Sequence, residues 1–250
     1  MSDFHRNVAA GGYADRAAID AGLRAYMIRV YNYMAAAVAL SGVVAWLTYN
    51  AAVVTDTAGK VTGLTPFGQM VLSGPMMIVL LLGTLGLVFF ISFRIQRLQF
   101  TTALMLFMVY AGLLGVTLTP IFLVYTGASI TKVFFISAAS FGALSLWGYT
   151  TQRDLSGMGS FMIMGLFGII IASLVNLFLK SSGLDFAISA IGVIVFAGLT
   201  AWDTQRIKEM YDASDDSDSA GRKAVMGALS LYLDFINLFL MLLRLVGDRR

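Results

Sequence analysis

The sequence predicts an all-α membrane protein with seven transmembrane helices in one membrane domain. Of its 250 residues, 58% are hydrophobic and only 12% are charged, and the mean hydropathy is +0.82. Soluble proteins carry about twice that share of charge, roughly a quarter of their residues. The chain also has long apolar stretches, and about 20 apolar residues let a helix cross the ~30 Å hydrocarbon layer. Because backbone groups in lipid must be satisfied within the helix itself, each stretch is predicted to be a helix.

Charged residues and turn formers separate the predicted helices. The first helix follows a segment of mixed charge, residues 1–24, and ends before an exposed loop at 51–66. The last apolar stretch, Ala224 to Leu243, is interrupted only by Asp234. Proline cannot continue a helical hydrogen-bond ladder, so Pro75 and Pro120 should lie near helix ends or kinks. The helices are predicted at approximately 25–49, 69–93, 99–125, 131–149, 157–179, 185–210 and 224–245.

The distribution of cations predicts the orientation of the chain. If the N-terminus is cytoplasmic, eleven of the seventeen Lys and Arg lie on the cytoplasmic side, and the positive-inside rule favours this arrangement. Residues 1–24 are then a cytoplasmic N-terminal tail, and residues 25–250 form the transmembrane domain. Because the cations are scattered between apolar stretches and not gathered on one face, they predict the lipid bilayer as a partner and no nucleic acid.

The residue inventory excludes most catalytic chemistry. The chain has no Cys and one His, which removes thiolate metal sites, disulfides and histidine relays. No Ser-His-Asp set, phosphate loop or zinc-protease signature occurs. Intramembrane aspartyl proteases use paired acids, but their Gly-x-Gly-Asp motif is absent at Asp203 and Asp234. We therefore expect a protein that is not an enzyme and has no cofactor.

Two acids stand out in the last two helices. Asp234 lies near the middle of the seventh helix, and Ser230, Asp234 and Asn237 follow an i, i+4, i+7 spacing that places them on one face. Lipid offers such a polar stripe no partner, so it should face another helix or water. Asp203 lies late in the sixth helix, which runs in the opposite direction. The two carboxyl groups are therefore expected at comparable depth and facing each other.

Two interpretations of this pair stay open. Two acids in one dry site rarely both ionise, so the pair is expected to share a proton near neutral pH and to titrate as a unit. Intramembrane acids often mark an ion or proton route. Alternatively, each Asp is neutral and holds helices together, or closes an ion pair with an arginine, and no ion is transported.

The segments AWDTQRIKEMY and SLYLDFINLFLMLLRLVG resemble the Bax inhibitor-1 family, also called the transmembrane Bax inhibitor motif family, in its bacterial branch. The resemblance extends over the membrane region. It implies a seven-helix bundle with the last helix at its centre, in the bacterial inner membrane. It also implies that Asp203 and Asp234 form a pH-sensing centre in a calcium-leak pathway. An arginine at the inner end of the second helix would engage the pair, either Arg97 or Arg94; otherwise both are membrane anchors.

The leading prediction is therefore a calcium-leak channel gated by protonation of the aspartate pair. Ca²⁺ is expected as a transported or transiently bound ion, with Asp203 and Asp234 as carboxylate ligands. Ca²⁺ prefers six to eight oxygens, so Ser230, Asn237, water or backbone carbonyls would complete its shell. The alternative from the same resemblance is a non-transporting regulator that binds a membrane-anchored AAA protease through the N-terminal tail.

Overall fold

The computed structural model describes residues 2–56 and 61–250, with side chains described from Asp20 onward. This part of the chain is helical except for one small hairpin and short connections. Its elements are α1 (Ser2–Ala52), β1 (Val53–Thr55), β2 (Val61–Leu64), α2 (Pro66–Val71), α3 (Gly74–Arg94), α4 (Phe100–Leu118), α5 (Pro120–Val124), α6 (Gly127–Thr150), α7 (Ser156–Leu179), α8 (Ser182–Glu209) and α9 (Ser217–Val246).

Seven spans within the described residues are long and apolar enough to cross a membrane, which confirms the predicted fold class. They are Asp20–Ala52, Gly74–Arg97, Phe100–Val124, Gly127–Thr150, Ser156–Leu179, Ser182–Glu209 and Ser217–Val246. Large apolar side chains on their outer faces are exposed, as lipid contact requires. The spans alternate in direction, so the bundle has two ends. We call them the loop end, where residues 210–216 join α8 to α9, and the C-terminal end, where α9 ends.

Local hydrogen bonds move several boundaries away from their predicted positions. The second spanning helix begins at Gly74 and not near 69, because the Ser73 side chain caps it and Pro75 occupies its first turn. The predicted loop at 51–66 contains an antiparallel hairpin that pairs Val53 with Leu64. Pro120 begins α5 directly after the end of α4, which confirms its predicted place at a helix boundary.

The predicted N-terminal tail falls largely outside the described side chains. Helix α1 includes residues 2–24, and side chains are described only from Asp20 onward. The assignment of residues 1–24 to a cytoplasmic tail therefore stays a prediction.

Helix α9 is the most buried of the seven spans. Of its apolar window, 67% is buried, compared with 44% for α8 and 6% for α7. It packs against α1, α4, α6 and α8. It starts at Ser217 and not near 224, because the Asp216 carboxylate caps it by accepting a hydrogen bond from the Ser219 amide. Hydrogen bonding from the side chain and then the amide of Ser219 lowers the pKa of Asp216.

Buried hydroxyl groups and close helix contacts hold this bundle together. The Ser41 and Tyr232 hydroxyls are hydrogen-bonded at 2.6 Å, and Ser41 also donates to the Ala111 carbonyl at 2.8 Å, which joins α1, α4 and α9. At Gly148 the backbone of α6 lies so close to α8 that a Cβ would clash with the Ala201 carbonyl oxygen. Small residues permit such close approach in membrane bundles. The contact fixes α8 two residues before Asp203.

Candidate functional site

The structure brings Asp203 of α8 and Asp234 of α9 together inside the bundle. Asp203 is 8% exposed and Asp234 is 5% exposed. Their carboxyl groups lie within hydrogen-bonding reach of each other. Helices α8 and α9 pack antiparallel, with Ile207 of α8 beside Gly227 of α9. Asp203 and Asp234 lie about one and two turns beyond this contact, both away from the loop end, so this register brings them to a similar depth.

An arginine on α8 accompanies the pair. Arg206 Nη2 lies 3.0 Å from Asp203 Oδ1, although the angles do not make this ion pair a hydrogen bond. The Arg206 guanidinium carbon lies 4.9 Å from the centre of the Trp202 ring. The Arg206 side chain is 39% exposed, so its charge is partly solvated while the carboxylates are not. Two buried acids thus share one half-exposed cation.

Three of the five buried side-chain polar atoms that lack a hydrogen-bond partner among the described residues lie at this site. Asp203 Oδ1, Asp234 Oδ2 and Arg206 Nε are buried and have no hydrogen-bond partner. A buried polar atom without a partner is costly. A proton on either carboxyl group would supply a donor between the two acids and remove one negative charge from the dry site. The arrangement can therefore bind and release a proton.

The structure does not bring the predicted arginines of the second span to the pair. Arg94 ends α3 and Arg97 lies in the following 3₁₀ turn, and both are exposed. The Leu98 carbonyl, next to this turn, accepts a hydrogen bond from Arg222. Arg222 lies about 18 Å before Asp234 along α9, at a rise of ~1.5 Å per residue. Both arginines therefore lie at the loop end.

Arg206 is the residue that the sequence reasoning missed. A signal was present, because residues three apart on a helix are neighbours and Arg206 follows Asp203 by three. The family resemblance instead implies that an arginine of the second span engages the pair. No local sequence pattern defines where that span lies relative to α8 and α9.

The polar stripe of α9 continues on both sides of Asp234. Ser230 and Asn237 are half-buried, and the Asn237 side-chain amide donates to the Leu233 carbonyl at 2.8 Å. Asn237 lines a cavity of about 630 Å³ between α7, α8 and α9. The other polar residues of this cavity are Ser173, Asn176, Asp185 and Arg244. A cavity with mainly apolar walls and five polar side chains therefore begins one turn beyond Asp234.

A set of hydrogen bonds fixes the end of α8 on the neighbouring helices. Thr204, next to Asp203, is hydrogen-bonded to Ser145 of α6 at 2.8 Å. The Gln205 side chain donates to the Arg153 carbonyl and accepts from the Leu155 amide, both at 2.8 Å. These bonds hold the turn of α8 that carries Asp203 against α6 and the α6–α7 connection.

The two carboxylates predicted to bind Ca²⁺ are Asp203 and Asp234. Among the described residues, no group of three or more Asp, Glu or His side chains is arranged to hold a metal ion. Ca²⁺ takes six to eight oxygen ligands, so Asp203 and Asp234 would bind it weakly and with water. Weak coordination suits an ion that must pass through a site.

Comparisons with known proteins agree with the membrane fold. A model of the family described as inhibitor of apoptosis-promoting Bax1 matches residues 23–250. The chain is 51% identical over 231 residues to an uncharacterized protein of Rickettsia prowazekii, covering 92% of each chain. It is 48% identical over 232 residues to the inner membrane protein YbhL of Escherichia coli, covering 92% of this chain and 94% of that protein. It is 42% identical over 258 residues to an uncharacterized protein of Caulobacter vibrioides, covering both chains completely.

Proposed function

Because the chain belongs to the Bax inhibitor-1 family of membrane proteins, we propose that it is a pH-sensitive calcium-leak channel of the inner membrane. The observation that carries this proposal is the contact between Asp203 and Asp234, two buried carboxyl groups that share one half-exposed arginine, Arg206. Apolar side chains of a similar size would pack the same space without the cost of burying acids. A chemical role for the pair is the simplest reason for its presence.

Protonation closes the channel in this proposal. With one proton on the pair, a hydrogen bond joins Asp203 to Asp234, and Arg206 neutralises the remaining charge. When the proton leaves, two like charges face each other in a site with little water, and their repulsion favours separation of α9 from α8. Because the two acids interact directly, the transition belongs to the pair and not to either residue.

The cavity beside Asn237 supports an ion route through the pair. It opens between α7, α8 and α9, and Asp185, Ser173 and Asn176 supply it with oxygen atoms. These are the ligand atoms that a hard cation such as Ca²⁺ prefers. In the open state the ion passes from this cavity to the parted carboxylates and then past Arg206 to the loop end. The positive charge of Arg244 offsets the negative charge of Asp185, so the cavity does not hold cations tightly.

We propose that the loop end faces the cytoplasm. The described residues place nine Lys and Arg near the loop end and five near the C-terminal end, and the positive-inside rule favours the richer end inside. Arg206 then lies at the cytoplasmic exit of the route. The cavity beside Asn237 faces the opposite side, from which Ca²⁺ would enter down its gradient.

Calcium flux into reconstituted vesicles tests the proposal. Purified protein is placed in liposomes that contain a Ca²⁺ indicator, and the initial rate is measured across a range of pH. We expect the wild-type rate to rise with pH and the Asp234→Asn variant to lose that dependence, because an amide cannot ionise. Asp154→Asn is the matched control, since Asp154 lies in the exposed α6–α7 connection. An unchanged pH profile in Asp234→Asn would reject the mechanism.

The same liposome preparation distinguishes the channel hypothesis from the hypothesis of a non-transporting regulator. A regulator of a membrane-anchored AAA protease would show no Ca²⁺ flux above empty liposomes at any pH. It would instead retain a protease in pull-down experiments and lose it when residues 1–20 are deleted. Flux that persists in the truncated chain supports the channel.

A further inference from the structure

An apolar groove lies between α1 and α6 on the outside of the bundle. It has a volume of about 780 Å³, within the ~300–1,000 Å³ typical of small-ligand sites. Its floor includes Phe235 of α9. Apolar side chains form most of its walls, among them Met27, Val38, Phe134, Phe141 and Leu146. Along α1 it extends from Arg24 to Ala39, about 22 Å at a rise of ~1.5 Å per residue.

Two of the hydroxyl groups that line the groove are already hydrogen-bonded within the protein. Tyr31 and Ser145 both line it, and their hydroxyls are hydrogen-bonded to each other at 2.7 Å. Ser145 is in turn bonded to Thr204, which donates to the Thr200 carbonyl at 2.7 Å. The Tyr31 and Ser145 hydroxyls therefore need no outside partner, and the floor offers apolar contact. An extended hydrocarbon fits such a surface better than a polar ligand does.

One end of the groove carries a cation. Arg24 lines the groove at the loop end, is exposed, and takes part in none of the ion pairs among the described residues. Lys208 lies nearby, because its ammonium group donates to the carbonyl of Tyr149, another lining residue, at 2.9 Å. The groove thus combines an apolar slot with positive charge at the depth where lipid headgroups lie.

From this combination we infer that the groove binds an anionic glycerophospholipid of the leaflet at the loop end. One acyl chain lies along the slot between α1 and α6, and the headgroup phosphate pairs with Arg24. The length agrees, since one leaflet supplies about half of the ~30 Å hydrocarbon layer and the slot is longer than that. The acyl chain contacts Tyr31 and Ser145. Hydrogen bonds link the hydroxyls of these two residues to Thr204, the neighbour of Asp203. This inference does not depend on ion transport.

Two pairs of matched variants test the site. Gly142 lines the groove and Gly168 lies on the exposed face of α7, and a Cβ at either position meets no atom within 4 Å. Gly142→Trp therefore fills the slot, whereas Gly168→Trp adds the same bulk elsewhere. Arg24→Gln removes the cation at the groove, and Arg29→Gln removes an exposed cation of the same helix that does not line it.

Native mass spectrometry of the full chain, titrated with phosphatidylglycerol or phosphatidylcholine, supplies the measurement. We expect phosphatidylglycerol to bind more tightly than phosphatidylcholine. Arg24→Gln should weaken phosphatidylglycerol binding about fivefold, the effect of one cation near a lipid surface, and should leave phosphatidylcholine binding unchanged. Gly142→Trp should remove the bound lipid, and both controls should behave as wild type.

Three results would overturn the inference. The first is equal binding of the two lipids. The second is an equal loss of phosphatidylglycerol in Arg24→Gln and Arg29→Gln, which would indicate general surface charge. The third is a protein dimer that Gly142→Trp dissociates without any change in bound lipid, which would assign the groove to a second copy of the chain.

Discussion

At the scale of single residues, the site is a balance between two buried acids and one arginine. Ion pairs on helices are usually worth little when they are exposed to water. Here Arg206 is half-exposed, and water partly solvates its charge. Asp203 and Asp234 are nearly fully buried, so their negative charge is stabilised mainly by Arg206 and not by water. The Trp202 ring also contacts the Arg206 guanidinium, whose carbon lies 4.9 Å from the ring centre. The charge of Arg206 beside Asp203 should therefore help the pair keep a second negative charge.

Removal of this charge should shift the pH dependence of transport. In Arg206→Gln the two carboxylates lose their nearest cation, so double ionisation becomes less favourable and the midpoint of Ca²⁺ flux should move to higher pH. Arg206→Lys keeps the charge but loses the planar contact with Trp202, and we expect a smaller shift in the same direction. The vesicle assay over a pH series measures both midpoints. Arg97→Gln is the control, and a shift as large there as in Arg206→Gln would contradict the assignment.

The acid pair could be predicted from sequence, whereas its arginine was not. Hydrocarbon offers a carboxylate no partner, so Asp203 and Asp234 had to meet each other or another polar group. That argument does not depend on the details of packing. The choice among Arg94, Arg97 and Arg206 does depend on them, because it requires the depth of each helix end relative to α9.

At the scale of helices, close backbone contact positions α8. The Ala201 carbonyl lies against Gly148 of α6, and Thr204 and Gln205 are bonded to α6 and to the α6–α7 connection. Long apolar runs indicate that these helices exist, but they carry no information about such contacts. Helix starts depend in the same way on capping side chains, Ser73 before α3 and Asp216 before α9, which an apolar count does not register.

A pair of glycine substitutions on α6 tests this packing. Gly148→Ala would place a methyl group against the Ala201 carbonyl and should destabilise the protein by about 1–3 kcal/mol, the usual cost of overpacking. Gly142→Ala meets no atom within 4 Å and should be neutral or stabilise by up to about 1 kcal/mol, because Ala favours helix more than Gly does. Unfolding in mixed micelles of increasing denaturing detergent gives both free energies. Equal stability of the two variants would show that α6 and α8 are not in close contact.

At the scale of the whole molecule, the bundle has two chemically different ends. The loop end carries Arg24, Arg29, Arg94, Arg97, Arg153, Arg206, Lys208, Arg222 and Lys223, whereas the described residues near the C-terminal end include Lys132, Lys180, Arg244, Arg249 and Arg250. The number of spans and their alternation could be predicted from apolar length alone. The packing of the spans against each other could not be predicted, because lipid and protein interiors are equally apolar. The apolar pattern of a span does not show which of its faces contacts lipid and which contacts another helix.

The absence of cysteine makes the orientation directly testable, since a single introduced thiol is the only one in the chain. Ala213→Cys lies in the connection between α8 and α9, and Ala128→Cys lies in the first turn of α6 at the C-terminal end; both positions are exposed. A membrane-impermeant maleimide is added to cells whose outer membrane is permeabilised and whose inner membrane is intact. If the loop end is cytoplasmic, the reagent should label Ala128→Cys and should not label Ala213→Cys. Both should react once the inner membrane is opened. The reverse pattern would place Arg206 on the outside, so that the proposed route would have its arginine at the entrance of the ion and not at its exit.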